Sequence, residues 1–293
     1  MKKVLITGAG GQLGSSMELE DFIMITTSRF HNDAVESPTI DADLDITNEY
    51  QVKTIIAEND PDIIVHLAAM TNVDGCELNP DQAYEVNVRG TVNLLNHFNG
   101  KFVLLSTDYV FDGENYKPYS EDDVTNPNGV YGTTKLAGED AMKTINPKNS
   151  IIIRTSWVYS SYGANFVKTM LRLGKERDSL GVIYDQVGTP TYARDLAKTI
   201  LDIIPNIRNK IVTIYNYSNE GVLSWYDFSK EIMKMAKIEC EINPIETKDY
   251  PTPSKRPHYS LLNKSKIKEE FNLTIPFWKD SLDECLKTMG ERK

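Results

Sequence analysis

The sequence predicts an α/β fold, a doubly wound parallel sheet with a smaller, interleaved C-terminal lobe, and three observations carry that prediction. Short apolar runs alternate with helical stretches through the first half of the 293 residues. A glycine-rich turn follows the first apolar run, and the alternation loosens beyond Val158. The strand candidates are Val4 to Thr7, Ile23 to Thr27, Ile63 to Leu67, Phe102 to Ser106 and Ile151 to Thr155. Between them lie helical stretches such as Glu49 to Glu58 and Asp81 to Asn96, and this βαβ pattern implies parallel strands covered on both faces. Pro61 ends one helix and Pro80 stands just ahead of another. Further on, helix-like Asn165 to Leu173 and Tyr192 to Ile203, a strand from Ile211 to Tyr217, a helix from Trp225 and a proline-rich stretch from Pro244 to Pro257 fit a smaller lobe interleaved with the sheet. The expected division places residues 1–160, with about 190–222, in the sheet domain, and about 161–189 with 223–293 in the lobe. The acidic run Glu121-Asp122-Asp123 reads as a solvated loop.

Two segments carry the chemistry. Thr7-Gly8-Ala9-Gly10-Gly11-Gln12-Leu13-Gly14 follows the first strand and reads as the opening of a helix. Glycine at 8, 11 and 14 permits a tight turn, a close approach to a pyrophosphate and close packing of helix on sheet, as in dinucleotide-binding Rossmann-type domains. The second segment is Tyr131-Gly132-Thr133-Thr134-Lys135, at the start of a helix running to about Lys143. Its tyrosine and lysine share one helix face, so both heads can address one ligand. With fifteen tyrosines a chance Tyr-x-x-x-Lys is expected, and Tyr226 to Lys230 is a second instance. That one lies in a helix whose Phe228, Ile232 and Met235 read as core, so Tyr131 and Lys135 are taken as the functional pair. Glycine loop and Tyr-x-x-x-Lys together indicate a nicotinamide oxidoreductase.

Composition narrows the partners. A formal charge of −10 argues against nucleic acid and anionic membranes, while leaving room for a nucleotide-sized ligand. Cys76, Cys240 and Cys285 have no C-x-x-C spacing and suit a reducing cytoplasm. The four histidines form no zinc pattern, and no metal is expected. The basic start Met1-Lys2-Lys3 leads into an apolar run that glycine interrupts too soon for a signal peptide, and no later run is long enough to cross a bilayer.

Over nearly its whole length the chain resembles the dTDP-4-dehydrorhamnose reductase family of extended short-chain dehydrogenase/reductases. The resemblance rests on TGAGGQLG at 7–14, Asp45-Ile46-Thr47, His66 through Asp74, STDYVFDG at 106–113, Tyr131 to Lys135 with Gly138-Glu139, Arg154 to Trp157, Asn165-Phe166-Val167, Asp185-Gln186 with Gly188 to Thr191, Ser224 to Phe228, and Arg256-Pro257. It implies hydride transfer from NADPH to the C4 ketone of dTDP-4-dehydro-L-rhamnose, with Tyr131 as acid, Lys135 lowering its pKa from about 10, and Thr107 holding the substrate oxygen. The cofactor residues expected are Gly8, Gly11, Gln12, Leu13, Gly14, Ser28, Arg29, Asp45, Ile46, Ala68, Ala69 and Thr71, with Tyr131 and Lys135. For the sugar nucleotide they are Thr107, Asp108, Tyr109, Trp157, Asn165 and Arg256, the arginine facing the diphosphate. The second strand ends in Ser28-Arg29 where NAD-preferring folds place an acid, so NADPH is expected over NADH, with NADH still accepted; Asp33 or Glu36 folding back would weaken that preference. Some family members bind magnesium through glutamates at a dimer contact. This chain has Ser15-Ser16 there, with Glu18 two positions late, so a metal-bridged dimer is not expected and a homodimer stays open. Two alternatives remain: a reductase or epimerase of another nucleotide keto-sugar, and a non-catalytic NADP-binding regulatory homologue.

Overall fold

Seven parallel strands form the central sheet of the computed structural model, which describes residues 1–17, 22–28, 39–145 and 147–292. They are β1 (Lys2–Thr7), β2 (Phe22–Ser28), β3 (Thr39–Asp43), β4 (Ile63–His66), β5 (Lys101–Thr107), β6 (Ile151–Thr155) and, after four short intervening strands, β11 (Thr213–Tyr217). Across the sheet they run β11-β6-β5-β4-β1-β2-β3. Winding therefore reverses between β1 and β4, where Val4 pairs with Ile63 and Thr7 with His66. A ligand crevice belongs at the carboxyl ends of that pair.

Side chains alternate across each strand, and both faces are apolar, as a sheet covered on two sides requires. Val4, Ile6, Met24, Val65 and Ile153 face one core with Leu196, Ile200 and Ile203 of α7 (Ala193–Ile203). Leu5, Ile25, Ile64, Leu104 and Ile152 face the other. That second face is covered by α1 (Glu49–Asn59), α4 (Gly90–His97) and α5 (Val130–Ile145), through Val52, Leu94, Leu95 and Met142.

A third core belongs to the lobe. It joins α6 (Phe166–Glu176), α8 (Trp225–Ala236) and α10 (Trp278–Thr288) through Val167, Leu171, Phe228, Ile232, Leu282 and Leu286. Three two-stranded ribbons frame it: β7 (Val158–Tyr159) with β10 (Thr191–Tyr192), β8 (Ser179–Ile183) with β13 (Glu241–Ile245), and β9 (Val187–Gly188) with β12 (Leu223–Ser224). Ile267 of α9 (Ser265–Phe271) and Ile275 return to the sheet's first core. No helix among the described residues is long and apolar enough to cross a membrane.

Several elements depart from the sequence expectation. Beyond the glycine turn the described residues form only a 3-10 turn, Gly14–Ser16, in place of the expected helix. The single helix expected from Asp81 to Asn96 is three pieces: α3 (Pro80–Tyr84) with proline at its first position, a π-helical turn at Glu85–Arg89, and α4. A helix α2 (Val73–Leu78), capped by Asn72, precedes them, and β3 forms from a segment with no clear periodicity. Glu121 is not solvated: it is buried, and its Oε1 accepts the amide of Asn216 at 2.9 Å.

Candidate active site

The site is built where β1 and β4 end. Gly8 takes φ +71°, and a Cβ there would stand 2.7 Å from the Ala68 amide nitrogen. The loop after β1 thus lies directly on the loop after β4, a contact only glycine permits. Gly14 performs the same service against Ala9, where a Cβ would fall 2.5 Å from the Ala9 Cα. The turn is tied down by Gly8 N to Thr27 O at 2.8 Å and Gly11 N to Gly8 O at 2.9 Å. Gly10 and Gly11 remain exposed at the rim.

Beneath this contact lies a buried polar chain that sequence reading missed. The Thr91 hydroxyl donates to Asn87 O (2.8 Å), so it accepts from His66 Nε2 (3.0 Å). That fixes Nδ1 as the unprotonated nitrogen, accepting from the Thr7 hydroxyl at 2.7 Å. Thr7 Oγ1 in turn accepts the amides of Leu67 and Ala68, at 3.2 and 3.3 Å. Burial, then the charge of Lys135, lowers the His66 pKa to about 3, so the imidazole is neutral. Asn87, on the π turn, accepts Met70 N (2.8 Å) and donates to Met70 O (3.2 Å) and to Thr134 Oγ1 (3.1 Å). Thr134 donates to Tyr131 O at 3.0 Å, closing a path from the glycine turn to α5. The π turn is the device that aims Asn87 inward.

At the end of β5, Thr107, Asp108 and Tyr109 meet Tyr131. The Thr107 hydroxyl donates to Asp108 Oδ1 (3.1 Å) and accepts Tyr109 N (3.2 Å), and it lies close enough to the Tyr131 phenol to pull its pKa down. Burial raises the Tyr131 pKa above the usual tyrosine range, and the Thr107 hydroxyl is the main group pulling it back. Lys135 is buried, and its Nζ donates to Leu105 O at 2.7 Å. Burial pushes its pKa down to about 8, against the neighbouring carboxylate of Glu139. Glu139 itself is fully buried and grips Arg154 with both oxygens, at 2.9 and 2.7 Å, while accepting Ser106 Oγ at 2.6 Å. Asp108 Oδ2 is buried with no hydrogen-bond partner, and burial raises this carboxyl to about 7, partly offset by hydrogen bonds from Thr107 and Ser260.

A strap from the lobe covers this corner. Arg256 hydrogen-bonds Tyr109 and donates from Nη2 to Asp74 Oδ2 at 2.7 Å. Burial pushes the Tyr109 phenol up to about 12 despite that guanidinium. Tyr109 and Tyr131 meet edge to face, centroids 5.5 Å apart. Trp157 reaches the same corner: a Cβ on Gly188 would lie 3.0 Å from its ring and 2.6 Å from Ser260 Oγ.

Other expected residues are committed locally. Leu13 and Ile46 lie in the two sheet cores, Ile46 against Gly90. Asp45 Oδ1 accepts the amide and hydroxyl of Thr47, at 3.0 and 2.8 Å. Gln12 Oε1 accepts the Ser160 hydroxyl at 3.2 Å. Asn165 caps α6 through Lys168 N and donates to Ser160 O at 2.7 Å. Ala68 and Ala69 are half-buried in the loop after β4, and Thr71 is exposed. Ser28 ends β2, its side chain outside the described residues, as is Arg29. Tyr226 packs on the lobe core, with Lys230 exposed on α8.

Similarity to known proteins extends along nearly the whole chain. The family described as RmlD substrate binding domain matches residues 1–291. A dTDP-4-dehydrorhamnose reductase of Aggregatibacter actinomycetemcomitans is 42% identical over 294 residues, covering 96% of this chain and 97% of that one. The crystal structure of a dTDP-4-dehydrorhamnose reductase from Clostridium acetobutylicum superposes with a TM-score of 0.87 at 39% identity, covering 98% of this chain and 99% of the other. A second, from Bacillus anthracis in complex with NADP, has a TM-score of 0.87 at 37% identity, covering 98% of this chain and 100% of that one.

Proposed function

Because the chain belongs to the dTDP-4-dehydrorhamnose reductase family, we propose that it reduces the C4 ketone of dTDP-4-dehydro-L-rhamnose to dTDP-L-rhamnose with NADPH. It is an NADPH-dependent oxidoreductase with a Rossmann-type sheet. The observation that carries the reading is the convergence of Thr107, Tyr131 and Lys135 beside a glycine turn that closes on Ala68. That turn suits a dinucleotide, since its glycines let the loop after β1 close on the loop after β4 and leave Gly10 and Gly11 exposed at the crevice with no side chain in the way. NADPH, when bound, supplies the hydride.

The chain's own residues handle the proton. Burial keeps Tyr131 protonated, so its hydroxyl is a donor at neutral pH, and the alkoxide forming at C4 is a far stronger base than a phenolate. The Thr107 hydroxyl, turning its one proton from Asp108 Oδ1 to the substrate oxygen, holds that oxygen beside Tyr131. Lys135 is anchored on Leu105 O, placing its ammonium one helical turn from Tyr131 for the ribose hydroxyls and for the phenolate's charge. Arg256 and Tyr109 take the diphosphate side, and Trp157 the deoxysugar. Gly8, Gly11, Gln12 and Gly14 line the pyrophosphate side, Ala68, Ala69 and Thr71 the nicotinamide side, and Ser28 with Arg29 the 2′-phosphate. The sheet domain would hold the dinucleotide and the lobe the sugar nucleotide, in a cytoplasmic enzyme compatible with a homodimer.

The test follows NADPH absorbance with dTDP-4-dehydro-L-rhamnose generated in situ, with identification of the sugar product. Formation of dTDP-L-rhamnose is expected, and Tyr131→Phe abolishes it while NADPH binding stays nearly intact. Absence of oxidation despite NADPH binding refutes the substrate, and near-normal turnover of Tyr131→Phe refutes the acid.

A further inference from the structure

Trp157 stands just past the end of β6 with φ +49°, a left-handed conformation that a bulky L-residue adopts only when its surroundings impose it. Its backbone is pinned on both sides. Ser156 Oγ donates to Thr189 O at 2.8 Å, and Thr191 N donates to Trp157 O at 3.1 Å. Its ring lies flat on Trp225, with centroids 3.6 Å apart and planes 12° from parallel. Trp225 is the first residue of α8, and the reciprocal capping box of Ser224 and Asp227 fixes that helix start. Below Trp225 come Phe166, 4.4 Å away, and Phe228 in the lobe core. On its other side Trp157 meets Gly188, which leaves no room for a Cβ, and beyond Gly188 lies Ser260, which hydrogen-bonds Asp108. The strained tryptophan is the point where the aromatic column of the lobe meets the polar wall around Thr107 and Tyr131.

We propose that Trp225 is a positioning residue that seats the ring of Trp157, whose left-handed backbone Ser156 and Thr191 already hold, so that two stacked indoles form one rigid wall for the apolar face of the deoxysugar. The proposal rests on the functional reading above. Removing the lower indole removes the surface against which the upper one is seated. The Trp157 ring then turns about its side-chain torsions on a backbone that stays pinned, and leaves the place set by Gly188. Binding of the sugar suffers; hydride and proton transfer, which use other residues, do not.

Two readouts test this on the full-length protein. Indoles stacked this closely couple their electronic transitions, giving an exciton couplet in the far-ultraviolet circular dichroism that Trp225→Leu should abolish. The same variant should raise KM for dTDP-4-dehydro-L-rhamnose about tenfold, or about 1.4 kcal/mol. Its kcat and its NADPH affinity should stay within about twofold of wild type, well under that same interval. Trp225→Phe, which keeps a ring under Trp157, should recover most of the KM. Loss of the couplet with an unchanged KM overturns the proposal, as does a phenylalanine variant no better than leucine. Should Trp225→Leu fail to fold, Gly188→Ala displaces the upper indole from the opposite side; it must change the couplet and raise KM, and an unchanged KM is equally fatal. An inactive wild type would refute the substrate and not the stack, and calorimetric binding of dTDP-L-rhamnose to wild type and variants then decides the proposal, equal affinities overturning it.

Discussion

Acid should unfold this protein through one imidazole. Burial and the charge of Lys135 hold His66 at about 3 against 6.5 for an exposed histidine, so between those values the unfolded chain binds a proton that the folded chain refuses. Stability therefore rises with pH across that window and is lost as pH falls below 6.5. Each unit of pH costs about 1.4 kcal/mol, so the full shift amounts to about 5 kcal/mol, comparable with the whole stability of many domains. The Asp108 carboxyl, raised to about 7, acts in the opposite sense: its contribution is present at low pH and is lost as pH rises from 3.8 through 7. Comparing wild type with His66→Asn cancels Asp108 and every other carboxylate, because both proteins carry them. An asparagine oxygen can replace Nδ1 as acceptor for Thr7 but leaves Thr91 without its donor, costing about 1–2 kcal/mol at neutral pH. Urea unfolding across the pH range should then show wild type more stable above 6.5, the gap closing between about pH 5 and 6 and reversing below it. Parallel stability curves at all pH values would refute the neutral, buried imidazole and the tautomer assigned from Thr91.

Gly8→Ala drives a Cβ into the Ala68 backbone at a φ of +71°, and should weaken NADPH binding at least about tenfold by titration. Lys135, held near 8, keeps its charge below that pH and loses it above, so kcat/KM should fall as pH rises through about 8, about 2.5 pH units below the point at which an unperturbed lysine at 10.5 would lose its charge. A flat profile to pH 10 would remove the lysine's charge from the reaction. Arg29→Ala should lower selectivity for NADPH over NADH with little change in NADH use, measured as the ratio of kcat/KM values.

The sheet was legible because its signals are local. Apolar runs such as Val4 to Ile6 and Ile151 to Ile153 have no competing reading once glycine and proline bound them, and their strands lie within two residues of expectation. Glycines 8 and 14 were legible as a motif directly after β1, although the Ala68 backbone that Gly8 meets stands beyond β2 and β3 in the chain. What stayed hidden depends on pairing across the fold. Nothing near His66 or Asn87 in sequence says that Thr7, Thr91, Met70 and Thr134 surround them. The π turn inserts a residue into an otherwise ordinary helical pattern, and periodicity averages over it. Glu121 was misread because a charge run looks solvated until a partner 95 positions away, the Asn216 amide, is brought to it.

These long-range pairs explain why α5 can serve as the site's frame. Midway along it Glu139 is clamped by Arg154, a buried pair whose breakage typically costs about 3–5 kcal/mol, so the lysine one turn earlier cannot drift from Leu105 O. At its near end Glu77 Oε1 accepts both Val130 N, at 2.8 Å, and the hydroxyl of Ser254, at 3.2 Å. Asp74, three residues earlier on the same short helix, accepts Ser254 N and Arg256 Nη2. Two carboxylates of α2 thereby fix the start of the helix bearing Tyr131 and the strap bearing Arg256 to one support. Tyr131 and Arg256, for which we propose the roles of proton donor and diphosphate cation, come from segments more than a hundred residues apart in the chain, yet a shift of α2 moves both together, so the distance between them is set by one element.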